Sequence, residues 1–161
     1  MQLRTCNLDD AEIIHKELGC NPAMLKYTGW NPYETLESTQ EFLAHAIEAE
    51  DNYSWVIEDK GNVIGTIGAY DYSVQDQSIE IGFSIFEIYW GRGYASKAVE
   101  LACEQLYSSG VIKCIKAWCA EENIASAKAL ERNQFHRNGV IEAAINVDGA
   151  SFNQVFFIKR L

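Results

Sequence analysis

Gly91 and Gly93, with Arg92 between them and Ala95 and Lys97 just beyond, stand where one hydrophobic period gives way to another. Before them, Ile79, Ile81, Phe83 and Ile85 alternate with Ser78, Glu80, Gly82 and Ser84, the period of a strand. After them, Ala95, Ala98, Val99, Ala102 and Leu106 recur at helical spacing, and Gly110 sits where a left-handed helix stop belongs. A helix start carries unpaired backbone N–H groups and the positive end of the helix dipole. Glycines there remove the Cβ atoms that would hold an anion away, and Arg92 and Lys97 add positive charge. The chemistry this suits is the binding of a phosphate or pyrophosphate. The plainer reading, a tight turn, stays open on these residues alone. The loop is not a P-loop, since no Gly-Lys-Ser/Thr follows, and Ser96 stands where a dinucleotide fingerprint needs its third glycine.

A second candidate lies just upstream. Glu80 shares a strand face with Ser78, Gly82 and Ser84, all small, so the sequence predicts room for a substrate beside a carboxylate. Burial would raise the pKa of that carboxylate and make it a better general base. The competing readings are a solvated glutamate and a structural hydrogen-bond acceptor. His136, after Phe135, is either a second proton carrier or a structural residue.

The elements that must position these groups read as follows. The chain has 161 residues, 48% of them apolar, enough for one folded domain spanning 1–161. No apolar run reaches membrane-spanning length, and the first residues lack the apolar stretch of a signal peptide. Five scattered cysteines argue against a disulfide framework and for a reducing, cytoplasmic setting. Cys114 and Cys119 fall on opposite strand faces, so a zinc pair there is not expected. The net charge is −10, divided as −12 over residues 1–90 and +2 over 91–161. The acidic half disfavours nucleic acid and attracts cations, while the other half tolerates an anion; a plain solubilising role accounts for the asymmetry equally well.

In chain order, a short strand at Gln2–Cys6 leads to a helix capped by Asn7 or Asp9. A loop over residues 19–33 follows, with a short helix at Ala23–Lys26 and the aromatics Tyr27, Trp30 and Tyr33, which line a pocket or anchor the loop. A helix from about Thr35 to residue 50 precedes a hairpin of strands around Asp59-Lys60-Gly61-Asn62, then the strand carrying Glu80. Strand, glycine loop, helix and the strand 112–119 imply a parallel pair with a right-handed crossover. A helix over Ile124–Arg132 and two strands, about 135–144 and 151–159, complete a β-α-α-β-β-β-α-β-α-β-β order.

Trp90-Gly91-Arg92-Gly93-Tyr94-Ala95 resembles the acyl-CoA pyrophosphate loop of the GNAT N-acetyltransferase superfamily, written Gln/Arg-x-x-Gly-x-Gly/Ala. About thirty residues on, Asn123-Ile124-Ala125-Ser126 with Asn133-Gln134-Phe135 resembles that superfamily's second motif, Asn-x-x-Ser ending in Gly-Phe. The wording of both is similar to the RimJ/RimL-type branch, which holds ribosomal-protein N-terminal acetyltransferases and enzymes of small amines. Three positions depart: Trp90 replaces Gln or Arg, Gln134 replaces glycine, leaving Asn133 to take the left-handed turn, and Leu130 replaces a tyrosine thought to protonate the thiolate.

The resemblance implies an α/β (α+β) fold: a mixed, mostly antiparallel twisted sheet, helices on both faces, and one parallel βαβ junction at the cofactor site. It implies acetyl-CoA as co-substrate, no metal, and transfer to a primary amine, either a protein N-terminus or a small cationic amine. Phe83, Ser84, Ile85, Trp90, Gly91, Arg92, Gly93, Tyr94, Ala95, Ser96, Asn123 and Ser126 would hold the cofactor. Glu80 and Ser126 would be catalytic, and Trp30, Tyr33 and Glu80 would meet the acceptor. For Asn123 and Ser126 the alternatives are a helix cap and a first-turn residue. Neither nucleic acid nor membrane is expected as a partner, and a homodimer is the candidate assembly. The rival readings are a non-catalytic acyl-CoA sensor, kept open by Leu130, and a nucleotide-binding domain.

Overall fold

A computed structural model describes residues 1–29, 31–32, 35–49 and 52–161. Seven strands form one sheet: β1 (Gln2–Thr5), β2 (Tyr53–Asp59), β3 (Asn62–Ser73), β4 (Ser78–Ile85), β5 (Cys114–Ala120), β6 (His136–Val147) and β7 (Ala150–Arg160). Their order is β1-β2-β3-β4-β5-β7-β6, and every pairing is antiparallel except β4 with β5. The helices are α1 (Ala11–Ile14), α2 (Pro22–Leu25), α3 (Leu36–Glu48), α4 (Tyr94–Ser108) and α5 (Ile124–Arg132). The expected mixed sheet with one parallel junction is the architecture found.

Local chemistry explains the boundaries. The β2–β3 hairpin turns on Lys60 and Gly61, both with positive φ. Thr35 caps α3 through the Ser38 amide at 3.1 Å. Asn7, not Asp9, starts the first helix, with a reciprocal bond from its own amide to Asp10. That helix is less regular than its spacing predicts: a 3₁₀ turn at Leu8–Asp10 precedes α1, and His15–Gly19 continues it as a π turn. Arg4 holds the buried Asp10 carboxylate with two bonds, 3.0 and 2.8 Å, and so pins β1 to this helix. At the C-terminal end of α4, Gly110 takes φ +71 as expected for the stop.

The sheet is covered on both faces. On one, α4 and α5 pack Val99, Leu106 and Leu130 against Ile67, Ile79, Ile81 and Ile115. On the other, the first helix and α3 pack Ile14, Leu18 and Leu43 against Val56 and Phe86. Cross-strand register then sorts the site. Val56, Thr66, Gly68, Tyr70, Glu80, Gly82 and Ser84 share the α3 face, whereas Ile67, Ala69, Ile81, Phe83 and Ile85 share the α4 face.

Candidate active site

β4 and β5 are paired over only three rungs, Ser78 with Cys114, Ile79 with Ile115 and Glu80 with Lys116. Beyond them β4 runs on to Ile85 alone on that side, while β5 continues against β7 only. The sheet therefore opens into a V whose last closed rung carries Glu80. A cleft of about 1220 Å³ passes through the V, lined on the α3 face by Gly68, Tyr70, Gly82, Ser84 and Trp118 and on the α4 face by Ile81, Phe83 and Ile85. Trp90 to Ser96, Asn123 and Ser126 also line it, so the two sequence motifs meet in one cavity.

The glycine loop folds as an anion site requires. Gly91 and Gly93 have φ +73 and +79, and a Cβ at either would meet nothing within 4 Å. Gly93 is the residue before α4 and supplies no side-chain cap, so the first amides of the helix face open space. The loop is braced from behind: the Trp90 indole donates to the Ile85 carbonyl at 2.6 Å, and Arg92 donates to the Ile88 carbonyl at 3.1 Å. Tyr94 turns the other way and donates to Asp59 at 3.0 Å. These residues fit a pyrophosphate group, through main-chain N–H groups more than through side chains.

Asn123 caps α5, its Oδ1 accepting from the Ser126 amide at 3.2 Å. Its side-chain NH₂ donates to no described residue, so capping and ligand contact do not compete for one atom. Leu130 is fully buried among core side chains, and that position presents no group to the cleft. His136 is exposed on β6 and outside the cleft wall. Trp30 and Tyr33 lie outside the described residues.

Asn133 corrects the expectation of a left-handed turn: its φ is −94, and Gln134 itself adopts φ +66. Asn133 is buried and donates to Ala129, to the Ser96 carbonyl and to the Ser96 hydroxyl, at 2.8, 2.9 and 3.2 Å. It ties α5 to the first turn of α4, which leaves its φ set by that network.

Glu80 sits half-buried, and its surroundings are more crowded than Ser78, Gly82 and Ser84 alone predict. Burial pushes its carboxyl above the ordinary range, aided by the charge of Asp71. The polar groups of Trp118 and Tyr70 beside it, and the charge of Lys116, oppose that rise. Tyr70 and Trp118 were not among the expected site residues, and both belong to neighbouring strands. Among the described residues, no group of three or more His, Cys, Asp or Glu is placed to hold a metal ion, and no helix is long and apolar enough to cross a membrane.

With this geometry in hand, comparison with known proteins places the fold. Residues 1–136 match the acetyltransferase (GNAT) domain family. The chain belongs to the GNAT acetyltransferases. A Bacillus licheniformis protein called the uncharacterized N-acetyltransferase p20 is 25% identical over 146 residues, covering 88% of this chain and 82% of that protein. Among solved structures, the ribosomal L7/L12 alpha-N-protein acetyltransferase RimL in complex with coenzyme A superposes with a TM-score of 0.91 at 19% identity, over 99% of this chain and 93% of that one. The spermidine N-acetyltransferase from Vibrio cholerae in complex with CoA and spermine gives 0.91 at 21% identity, over 99% and 94%.

Proposed function

We propose that the chain transfers the acetyl group of acetyl-CoA to a primary amine, in the manner of the RimJ/RimL-type branch. The acceptor is a protein N-terminus or a small cationic amine. The observation that carries this reading is the V itself: an uncapped helix start with two left-handed glycines faces the same cleft that is lined by Tyr70, Gly82 and Trp118 next to the half-buried Glu80. Main-chain amides of residues 91–96 would hold the pyrophosphate. The unpaired side of Phe83–Ile85 and the Asn123 amide would hold the pantetheine arm. These contacts would position the thioester beside the amine, which lowers the barrier by making the encounter effectively intramolecular. Glu80 would be the final acceptor of the amine's proton, and the Ser126 hydroxyl would return one to the leaving thiolate. Trp30 and Tyr33 are proposed for the acceptor side.

The test is a free-thiol assay with acetyl-CoA against ribosomal-protein N-terminal peptides, polyamines and aminoglycosides. Amine-dependent thiol release is expected with at least one class. Tight acetyl-CoA binding without release on any amine would instead favour a domain that holds acyl-CoA without turnover.

Two further outcomes follow from the cofactor wall. Asn123→Ser keeps a good helix cap, so the melting temperature should hold, but the short hydroxyl cannot reach a pantetheine carbonyl and acetyl-CoA affinity should fall. Unchanged affinity in Asn123→Ser would reduce Asn123 to a cap. Asn133→Leu leaves the Ser96 and Ala129 carbonyls without their shared donor and is expected to cost roughly 1–3 kcal/mol in stability. Acetyl-CoA affinity should drop with it, because the first turn of α4 loses its brace. A lower melting temperature with unchanged affinity would confine Asn133 to the fold.

A further inference from the structure

Glu80 is not itself on the cleft wall, whereas the two side chains that flank it from β3 and β5, Tyr70 and Trp118, are. Tyr70 stands directly across from Glu80 in the β3–β4 register. Its ring leans along β4, so that a Cβ on Gly82 would lie 2.8 Å from the Tyr70 hydroxyl oxygen. Gly82 is beyond the last β4–β5 rung, inside the open V. The hydroxyl therefore reaches further into the open V than the Glu80–Lys116 rung. The glycine at 82 is what lets it lie there.

We propose that Tyr70 is the group that touches the acceptor amine, and that Glu80 takes the amine's proton through the Tyr70 hydroxyl. A hydroxyl has one proton to give and lone pairs to receive one, so it conducts a proton without ionising. In the step, an ammonium proton passes to the Tyr70 oxygen as the Tyr70 proton passes to Glu80. The phenol ends neutral, the carboxylate ends as a carboxylic acid, and the amine is free to attack the thioester carbonyl. The second nitrogen proton leaves as the C–S bond breaks and ends on the departing sulfur. Glu80, half-buried at the closed rung, then releases its proton to water. Trp118, on the flanking strand opposite Tyr70, has an indole N–H that can only donate, so it cannot pass a proton on. The charged neighbours of Glu80 from both flanking strands are Asp71 on β3 and Lys116 on β5. The same environment fits Tyr70 for a relay and not for a base, since burial and the charges of Glu80 and Asp71 push its hydroxyl further from ionisation.

This rests on the transferase reading above, and the experiment separates the two. The kcat–pH profiles of wild type, Tyr70→Phe, Glu80→Gln and the double variant are measured with an accepted amine. Each single variant is expected to lose at least about tenfold in kcat at neutral pH, a floor below typical general-base contributions. The double variant should be no slower than the worse single one, because the two groups act as a unit. Tyr70→Phe should also lose the acid limb set by Glu80 while keeping its acetyl-CoA affinity and melting temperature. Gly82→Ala provides an independent displacement of the hydroxyl with both groups intact, and should cost kcat without lowering the melting temperature. A Tyr70→Phe enzyme with wild-type kcat and an intact acid limb overturns the relay. So does a double variant whose loss is the product of the single losses. Absence of thiol release by the wild type on every amine would overturn the transferase reading instead.

Discussion

Gly93→Asp is expected to abolish the rise in melting temperature that acetyl-CoA gives the wild type. A ligand at a hundred times its dissociation constant stabilises the folded state by about 2.7 kcal/mol. For a domain of this size that corresponds to roughly 5–10 °C. Position 93 has φ +79 and open space where its Cβ would stand, and it immediately precedes the uncapped amides of α4. An aspartate carboxylate there would occupy the phosphate's place and repel it, and would also cap the helix whose free amides the ligand needs. Asp tolerates the left-handed region better than most residues, so the fold should survive with a modest loss. Gly93→Asn, similar in shape and backbone tolerance but neutral, separates charge from bulk and should keep part of the shift. The measurement is a thermal melt with and without acetyl-CoA. An undiminished ligand shift in Gly93→Asp would remove the pyrophosphate from this loop.

Glu80→Gln should leave acetyl-CoA affinity in place and lower kcat by at least about tenfold, a floor below the roughly hundred- to ten-thousandfold that general base catalysis typically contributes. The amine arrives mostly as ammonium, and only the neutral form attacks the thioester. The sign of the pH dependence follows from the environment of the carboxylate. Desolvation by burial raises the Glu80 pKa, so the proton-accepting anion is lost at a higher pH than for a solvated glutamate. The kcat of the wild type should therefore rise with pH through a limb placed above the usual glutamate range. In the glutamine variant that limb should vanish, leaving a slow rate that climbs only as the amine itself deprotonates. Retention of both kcat and the limb would make Glu80 structural.

The glycine loop and the surroundings of Glu80 depend on different ranges of the chain. The loop from Trp90 to Ser96 is a local object. Two glycines before a helical repeat mark the left-handed turns, the bare first turn and the exposed amides in the chain itself. The alternation over residues 78–85 and the helical spacing over 95–106 likewise mark β4 and α4 in the chain itself, because each period reflects one buried face. The strand–loop–helix–strand order was enough to imply the parallel β4–β5 junction. The turn at Lys60-Gly61, the Thr35 cap and the stop at Gly110 are legible for the same reason.

Groups brought together by pairing are another matter. Glu80 was visible as an acid on a face of small residues, but the face is completed by Tyr70 from β3 and Trp118 from β5. Which residue stands opposite Glu80 depends on register, and a shift of one residue would turn Tyr70 to the other face. The β3–β4 register is itself set by packing on both faces and by Gly65, where a Cβ would overlap the Ser84 carbonyl oxygen. The splay after the Glu80–Lys116 rung leaves no mark in either strand's own sequence, since both continue with the same alternation. Asn133 binds Ser96 across 37 positions of chain, and its amide reads locally as a turn residue. Periodicity, caps and glycine turns act over a few bonds and could be read from the chain. The depth of the carboxylate, the hydroxyl above Gly82 and the opening of the V were decided by contacts between strands, which exist only once the sheet has formed.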